Sequence, residues 1–216
     1  LLDVLHPGHP DRQDTEVFIQ AVFARQYDAD IRHFMPHMVR LSYDDSGELY
    51  SAVGYREAAD GPLFLEHYLD SPVETAMAHA MEQPVSRNDI VEVGNLAEVG
   101  PGGARDAIIA LTAYLYGAGY HWVAITAVPR LVNAFQRIGL RTVYLADADI
   151  MRLPESERSL WGRYYDNRPK VVGGDIRLGY RALEAMKHEL PEGCCELMNV
   201  GRNLGMAWAR QHGVNA

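Results

Sequence analysis

Residues 90–140 read IVEVGNLAEVGPGGARDAIIALTAYLYGAGYHWVAITAVPRLVNAFQRIGL. Ile90 to Ala97 is an apolar, β-branched run of the kind that makes a buried strand. Gly100, Pro101, Gly102 and Gly103 form a turn that neither a strand nor a helix would carry through. Ala104, Ala107, Ile108, Leu111 and Leu115 then recur at helical spacing, and Gly117 and Gly119 end that helix. Trp122 to Ala127 is a second apolar strand. Leu131, Ala134, Phe135 and Ile138 form another helical stripe, closed by Gly139. The order is strand, glycine turn, helix, strand, helix. A strand that feeds a glycine turn and a helix N-terminus offers free backbone N–H groups and a favourable dipole to an anion. An ordinary tight turn has the same sequence signature, and both readings stand at this point.

Working outward, 216 residues with 48% hydrophobic content suit one large domain or a domain with an appendage. A formal charge of -9 and the lack of a basic stretch argue against nucleic acid. No apolar run approaches membrane-spanning length. Cys194 and Cys195 are adjacent and make no disulfide framework, so a cytoplasmic protein is expected.

Toward the N-terminus, His6-Pro-Gly-His9-Pro is a loop, and a helix is expected from Asp14 or Thr15 through Tyr27. Pro36 breaks the chain before two strands, Met38–Tyr43 and Leu49–Arg56, joined by the turn Asp44-Asp45-Ser46-Gly47. Leu63 to Leu69 reads as a short strand or extended arm. Val73, Ala76, Met77, Ala80 and Met81 mark a helix. Beyond the opening stretch, a strand is expected over residues 142–146, then helices around Arg181–Glu189 and Asn203–Arg210.

Several segments resemble the thermostable hemolysin family: His33-Phe34-Met35-Pro36, Leu63-Phe64-Leu65-Glu66 with Tyr68-Leu69-Asp70, and Ile90 to Ala97. Asn133-Ala134-Phe135, Arg137-Ile138-Gly139-Leu140, Ala146-Asp147-Ala148-Asp149, and Trp161-Gly162 with Tyr164-Tyr165-Asp166 continue the match. The resemblance covers roughly residues 12–175, and it implies an α/β fold of the GNAT type, related to acyl-homoserine-lactone synthases and N-acyl amino acid synthases. That fold is a bent mixed sheet flanked by helices, with a cleft where Ile90–Ala97 and Trp122–Ala127 splay apart. Residues 1–175 would form this domain, and 176–216 a C-terminal helical extension packed on it. Two departures bear on chemistry. The family's fold relatives carry Arg or Gln ahead of the phosphate turn, whereas this chain has Glu98-Val99-Gly100-Pro101-Gly102-Gly103 and loses a donor at Pro101. Histidine also stands at 37, 67 and 121, where the family more often has other residues.

These departures, with a link between such proteins and haem-dependent oxidation of N-acyl amino acids, favour a haem (heme) enzyme that oxidises an N-acyl amino acid or related amide. His67 is its expected axial and metal ligand, with His37 and His33 as fallbacks. Cys194 and Cys195 rank lower. Trp161 and Tyr165, with Tyr164, would wall the cofactor or an acyl chain, although aromatics at that density are more often core. The alternative is an N-acyltransferase fed by coenzyme A or acyl-carrier protein, with Glu66 or Glu92 as acid/base group. Glu92 paired to Arg56 or Asn95 as a structural network is equally open, and Asn133 either joins the site or braces its helix. A non-catalytic, membrane-lytic protein rests on the family name only. The expected partner is a small molecule with an acyl chain or amino acid moiety, and a homodimer is left open.

Overall fold

In the computed structural model, which describes residues 1–213, the chain runs β1 (Leu2–Leu5), α1 (Arg12–Tyr27), β2 (His37–Ser42), β3 (Leu49–Glu57) and α2 (Val73–Met81). It continues through β4 (Ile90–Glu98), α3 (Gly103–Gly117), β5 (Trp122–Ala127), α4 (Pro129–Arg137) and β6 (Val143–Asp147). The last elements are α5 (Glu155–Arg158), β7 (Lys170–Asp175), α6 (Ile176–Met186) and α7 (Cys194–His212). The seven strands form one open sheet in the order β1-β2-β3-β4-β5-β7-β6, in which only the β4–β5 pair is parallel. The mixed, helix-flanked sheet expected from the sequence is therefore present, with helices at its C-terminal end.

The parallel pair is short. Its register runs from Ile90↔Trp122 to Val93↔Ile125 and stops there. Past Val93, β4 stays paired only to β3, and that pairing slips between Ala52 and Gly54 because an extra residue is accommodated on β4. Asn95 absorbs the bulge with φ of 54°, a conformation that asparagine tolerates better than most side chains. The bulge turns β4 away from β5 and opens a wedge in the sheet.

The two faces of the sheet bury different layers. Helix α3 lies on one face and is apolar on nearly every side, because α7 covers its back. The two helices touch through backbone: a Cβ on Gly205 would stand 2.1 Å from the Tyr114 carbonyl oxygen. The opposite face packs α2 and the connection between β3 and α2 against Ile90, Trp122 and Ala124, and α1 against Met38, Ala52 and Ala97.

Several local expectations change. Leu63–Leu69 is no strand: Phe64–Tyr68 forms a 3-10 turn. Glu66 imposes it, since its carboxylate accepts the Leu63 N–H at 2.8 Å, and that of Val73 at 3.0 Å at the start of α2. Strand β7 was not anticipated, and it inserts between β5 and β6. The C-terminal helices lie further upstream and run longer than the apolar spacing suggested. Asp175 starts α6 by accepting the Leu178 N–H at 2.9 Å.

Candidate active site

A cavity of about 630 Å³ occupies the wedge between β4 and β5 and passes from the α1 side of the sheet to the α3–α4 side. Its centre is one rung of the sheet. Arg56 on β3 pairs with Glu92 on β4, and Glu92 pairs with Ala124 on β5. Paired residues share a face, so Arg56 and Glu92 stand side by side toward the cavity, and the small Ala124 leaves room beside them. Two rungs on, Gly54 faces Gly94, and Met35 lies across both glycines. The Met35 N–H donates to Asn95 Oδ1 at 2.8 Å, so the bulge that opens the wedge also straps down the loop that walls it.

Glu92 is 2% exposed. Its Oε1 accepts the Leu65 N–H at 2.8 Å and its Oε2 the Phe64 N–H at 3.0 Å. Arg56 Nε stands 3.9 Å from Oε2. Burial pushes the carboxyl above the ordinary glutamate value, and the two N–H groups and Arg56 partly offset that rise. A buried carboxylate held by two backbone donors, with its pKa raised, is equipped to accept a proton at a fixed position.

The aromatic wall expected from the sequence is present. Phe64 and Trp161 approach with ring centroids 5.5 Å apart, and Trp161 and Tyr165 meet edge-on at 5.9 Å. The Tyr68 and Tyr165 hydroxyls hydrogen-bond to each other, and burial raises Tyr165 to about 12. At the opposite end, Arg105, Arg130 and Arg137 line the mouth beside Glu98. Here Glu98 Oε2 accepts the Ala104 N–H at 2.6 Å at the start of α3, and Arg130 Nη1 lies 3.5 Å from Oε1. At the anion seat read from the glycine turn, the chain's own carboxylate thus takes one of the backbone N–H groups.

Of the expected site residues, the structure brings together Glu92, Arg56, Trp161 and Tyr165, with His67 and His33 at the rim. The others lie elsewhere. Glu66 binds Arg87 through both oxygens, at 2.7 and 3.0 Å, and this pairing holds its carboxyl down to about 2. That is a brace for the turn, not a group poised to exchange protons. Asn133 is exposed on α4, outside the lining. His37 pairs with Tyr55, one residue from Arg56, and therefore points to the other face of the sheet. There it stacks on Tyr55 at 5.0 Å and contacts His6 Nδ1 at 2.9 Å. His67 is exposed, and its Nδ1–H donates to the Phe64 carbonyl at 2.8 Å, because the 3-10 turn replaces the alternation that would have set it among leucines. His33 is also exposed, 3.3 Å from Glu157. Cys194 and Cys195 sit at the start of α7, where Cys194 Sγ lies 3.7 Å from Asp106 and Cys195 is exposed. Thr126 was not foreseen. It shares a face with Ala124 and is the first such residue beyond the last β4–β5 rung. Only knowledge of where pairing stops would have singled it out.

No helix among the described residues is long and apolar enough to cross a membrane. No curated protein sequence matches the chain. Among solved structures, the CoA-dependent acyl-homoserine lactone synthase BjaI aligns with a TM-score of 0.54 at 13% identity, covering 93% of this chain and 99% of its own. The acyl-homoserine lactone synthase LasI gives 0.53 at 14% identity, with 86% and 94% covered. FeeM, an N-acyl amino acid synthase from uncultured soil microbes, gives 0.54 at 13% identity, with 87% and 98% covered. This likeness to acyl-transferring synthases corrects the haem-dependent oxidation expected from the sequence. The proposed haem ligands fare no better, since His37 faces away from the cavity, and His67 and His33 lie exposed at its rim. The thermostable hemolysin model matches residues 5–180, and the chain belongs to that family.

Proposed function

We propose that the protein is an N-acyltransferase that joins an acyl group from a thioester donor, on a carrier protein or coenzyme A, to the amine of an amino acid. The observation that carries this reading is Glu92, a buried carboxylate with raised pKa on the last rungs before the sheet splits, facing a cavity open toward both faces. The acceptor's ammonium would give one proton to solvent, enter as the neutral amine from the polar side of Glu92, and lose a second proton to its carboxylate as the C–N bond forms. The amine nitrogen attacks the thioester carbonyl carbon, a C–N bond forms, and the C–S bond breaks. The proton held by Glu92 then neutralises the departing thiolate, so amide and free thiol are the products. The aromatic wall of Phe64, Trp161 and Tyr165 suits an acyl chain, and Val93, Leu96 and Ile125 extend the apolar lining through the wedge. Past Val93, one edge of β4 has no strand partner, and Gly94, Asn95 and Leu96 line the cavity there.

The test is incubation of the purified protein with decanoyl-coenzyme A or decanoyl-acyl-carrier protein and each of the twenty amino acids, read by mass spectrometry. An N-decanoyl amino acid that disappears with Glu92→Gln is expected. No amide from either donor would overturn the reading.

A further inference from the structure

Three buried side-chain polar atoms have no hydrogen-bond partner among the described residues: Arg56 Nε, Thr126 Oγ1 and Trp161 Nε1. All three residues line the one cavity at the wedge. Buried polar atoms are nearly always partnered, because an orphan costs its full desolvation. Two of these atoms are obligate donors, and the third can donate. Together they ask for acceptor oxygens.

Their placement narrows the choice. Arg56 shares a rung with Glu92, and a guanidinium nitrogen and a carboxylate oxygen lie 3.9 Å apart. An α-amino acid carries an ammonium and a carboxylate separated by one carbon, the complementary pair of charges at matching spacing. Glu92 already has both oxygens on backbone N–H groups, whereas Arg56 Nε has no acceptor. Thr126 stands on the same face, beyond the last rung, where Tyr164 reaches its carbonyl at 3.3 Å. Trp161 packs on both Tyr164 and Phe64, with ring centroids 5.3 and 5.5 Å away, so the indole closes the ring from Thr126 back to the Glu92 turn.

We infer that Arg56, Trp161 and Thr126 form a carboxylate-recognition subsite, which selects acceptors bearing a free α-amino carboxylate over simple amines, amides and esters. This rests on the acyl-transfer reading above and adds the element that sets its acceptor class. Arg56 provides the charge. Trp161 and Thr126 provide directional hydrogen bonds that an ester or amide, with one acceptor oxygen fewer or none charged, does not satisfy.

Binding of product-like probes tests this without turnover. Calorimetry would compare N-decanoylglycine with its methyl ester on the intact protein, since glycine demands nothing of a side-chain pocket. The acid is expected to bind roughly 10- to 100-fold more tightly, the range for hydrogen bonds to a charged group. Arg56→Met should collapse that ratio to about twofold or less, while Trp161→Phe and Thr126→Val each reduce it by roughly 3- to 10-fold. Arg56→Lys, which keeps the charge, should restore part of the ratio, and melting curves identify any variant that fails to fold. The acid-to-ester ratio is the decisive readout, because a merely structural residue weakens both probes alike. Displacement of the acid by free amino acids or by S-adenosylmethionine, but not by butylamine, supports the assignment and tells the two kinds of acceptor apart. Equal binding of acid and ester, with amide synthesis intact, overturns this assignment alone. Binding of neither probe, with no amide in the donor screen, overturns the acyl-transfer reading together with it.

Discussion

Glu92 and Arg56 are cross-strand neighbours whose charged groups meet at 3.9 Å, yet they make no hydrogen bond with each other. The carboxylate is held instead by the N–H groups of Phe64 and Leu65. The cation therefore acts on Glu92 through its field. Catalysis needs ionised Glu92, so turnover should rise with pH along an acid limb set by its raised pKa. Arg56 favours the ionised form, and Arg56→Met should move the limb to higher pH. Solvent screens part of this effect, since the Arg56 side chain is 32% exposed. A limb that stays in place or moves downward would refute the coupling.

Glu92→Gln should lower turnover by roughly 10²- to 10⁴-fold, the range for a positioned proton acceptor. It also turns an amide NH₂ toward one of two backbone donors and should cost about 1–3 kcal/mol of stability. The pH dependence has a definite sign. The folded pKa of Glu92 lies above its unfolded value, so its titration contributes stability at acid pH that is lost as pH rises through the folded value. Glutamine does not titrate, and the melting-temperature gap between wild type and variant should be widest at acid pH.

Glu66 provides the contrast. Its pKa is depressed to about 2 by Arg87, so its contribution is present above the ordinary glutamate range and lost as pH falls toward 2. Glu66→Gln should cost about 2 kcal/mol at neutral pH, the scale of hydrogen bonds to a charged group. Because the Glu66 charge also raises the Glu92 pKa, the variant's pH–rate limb should move to lower pH, opposite in sign to Arg56→Met. Denaturant melts and rate profiles would separate the two roles.

The opening stretch was legible because its periodicity switches cleanly between two and 3.6, and glycines punctuate each switch. Trp122–Ala127 is a strand with the bounds expected of it. Leu63–Leu69 was not legible, because seven mostly apolar residues fit a strand or a turn. The outcome depended on Glu66 reaching back to the Leu63 N–H. Strand β7 was hidden by Gly173-Gly174, which lack the β-branched side chains that mark a strand. His37 and Arg56 are close in the sheet, but only strand parity decides that they face opposite sides. Thr126 acquires meaning only where β4 and β5 part.

Met35 makes the shape of the wedge testable through two glycines. A Cβ on Gly54 would lie 2.5 Å from Met35 Cβ, close to the backbone of the strapped loop, so the loop itself would have to move. A Cβ on Gly94 would meet only the terminal methyl of Met35 at 2.6 Å, which can swing aside. Gly54→Ala should therefore cost about 1–3 kcal/mol and reshape the cavity wall. Gly94→Ala should cost less. Equal losses in urea melts would show that the Met35 side chain is as fixed as its backbone.

The start of α3 decides how the acyl donor is held. A helix N-terminus reached through a glycine turn attracts phosphate, but Glu98 already accepts the Ala104 N–H at 2.6 Å and carries the same sign of charge. Pro101 removes a further donor from the turn. A pyrophosphate entering here would have to displace Glu98 and face its repulsion, so wild-type protein should bind coenzyme A weakly or not at all in calorimetry. Glu98→Ala frees the N–H and removes the charge. It should tighten coenzyme A binding by about tenfold, while the lost cap costs α3 about 1 kcal/mol. Arg130, which pairs with Glu98 at this mouth, is then available to the phosphates, whereas Arg105 stays on Asp106 at 2.9 Å. A donor carried on a protein can place its contacts outside the turn, and Glu98 leaves that route open. Low-micromolar binding by the wild type, unchanged in Glu98→Ala, would show that the carboxylate is no barrier and make coenzyme A the preferred donor.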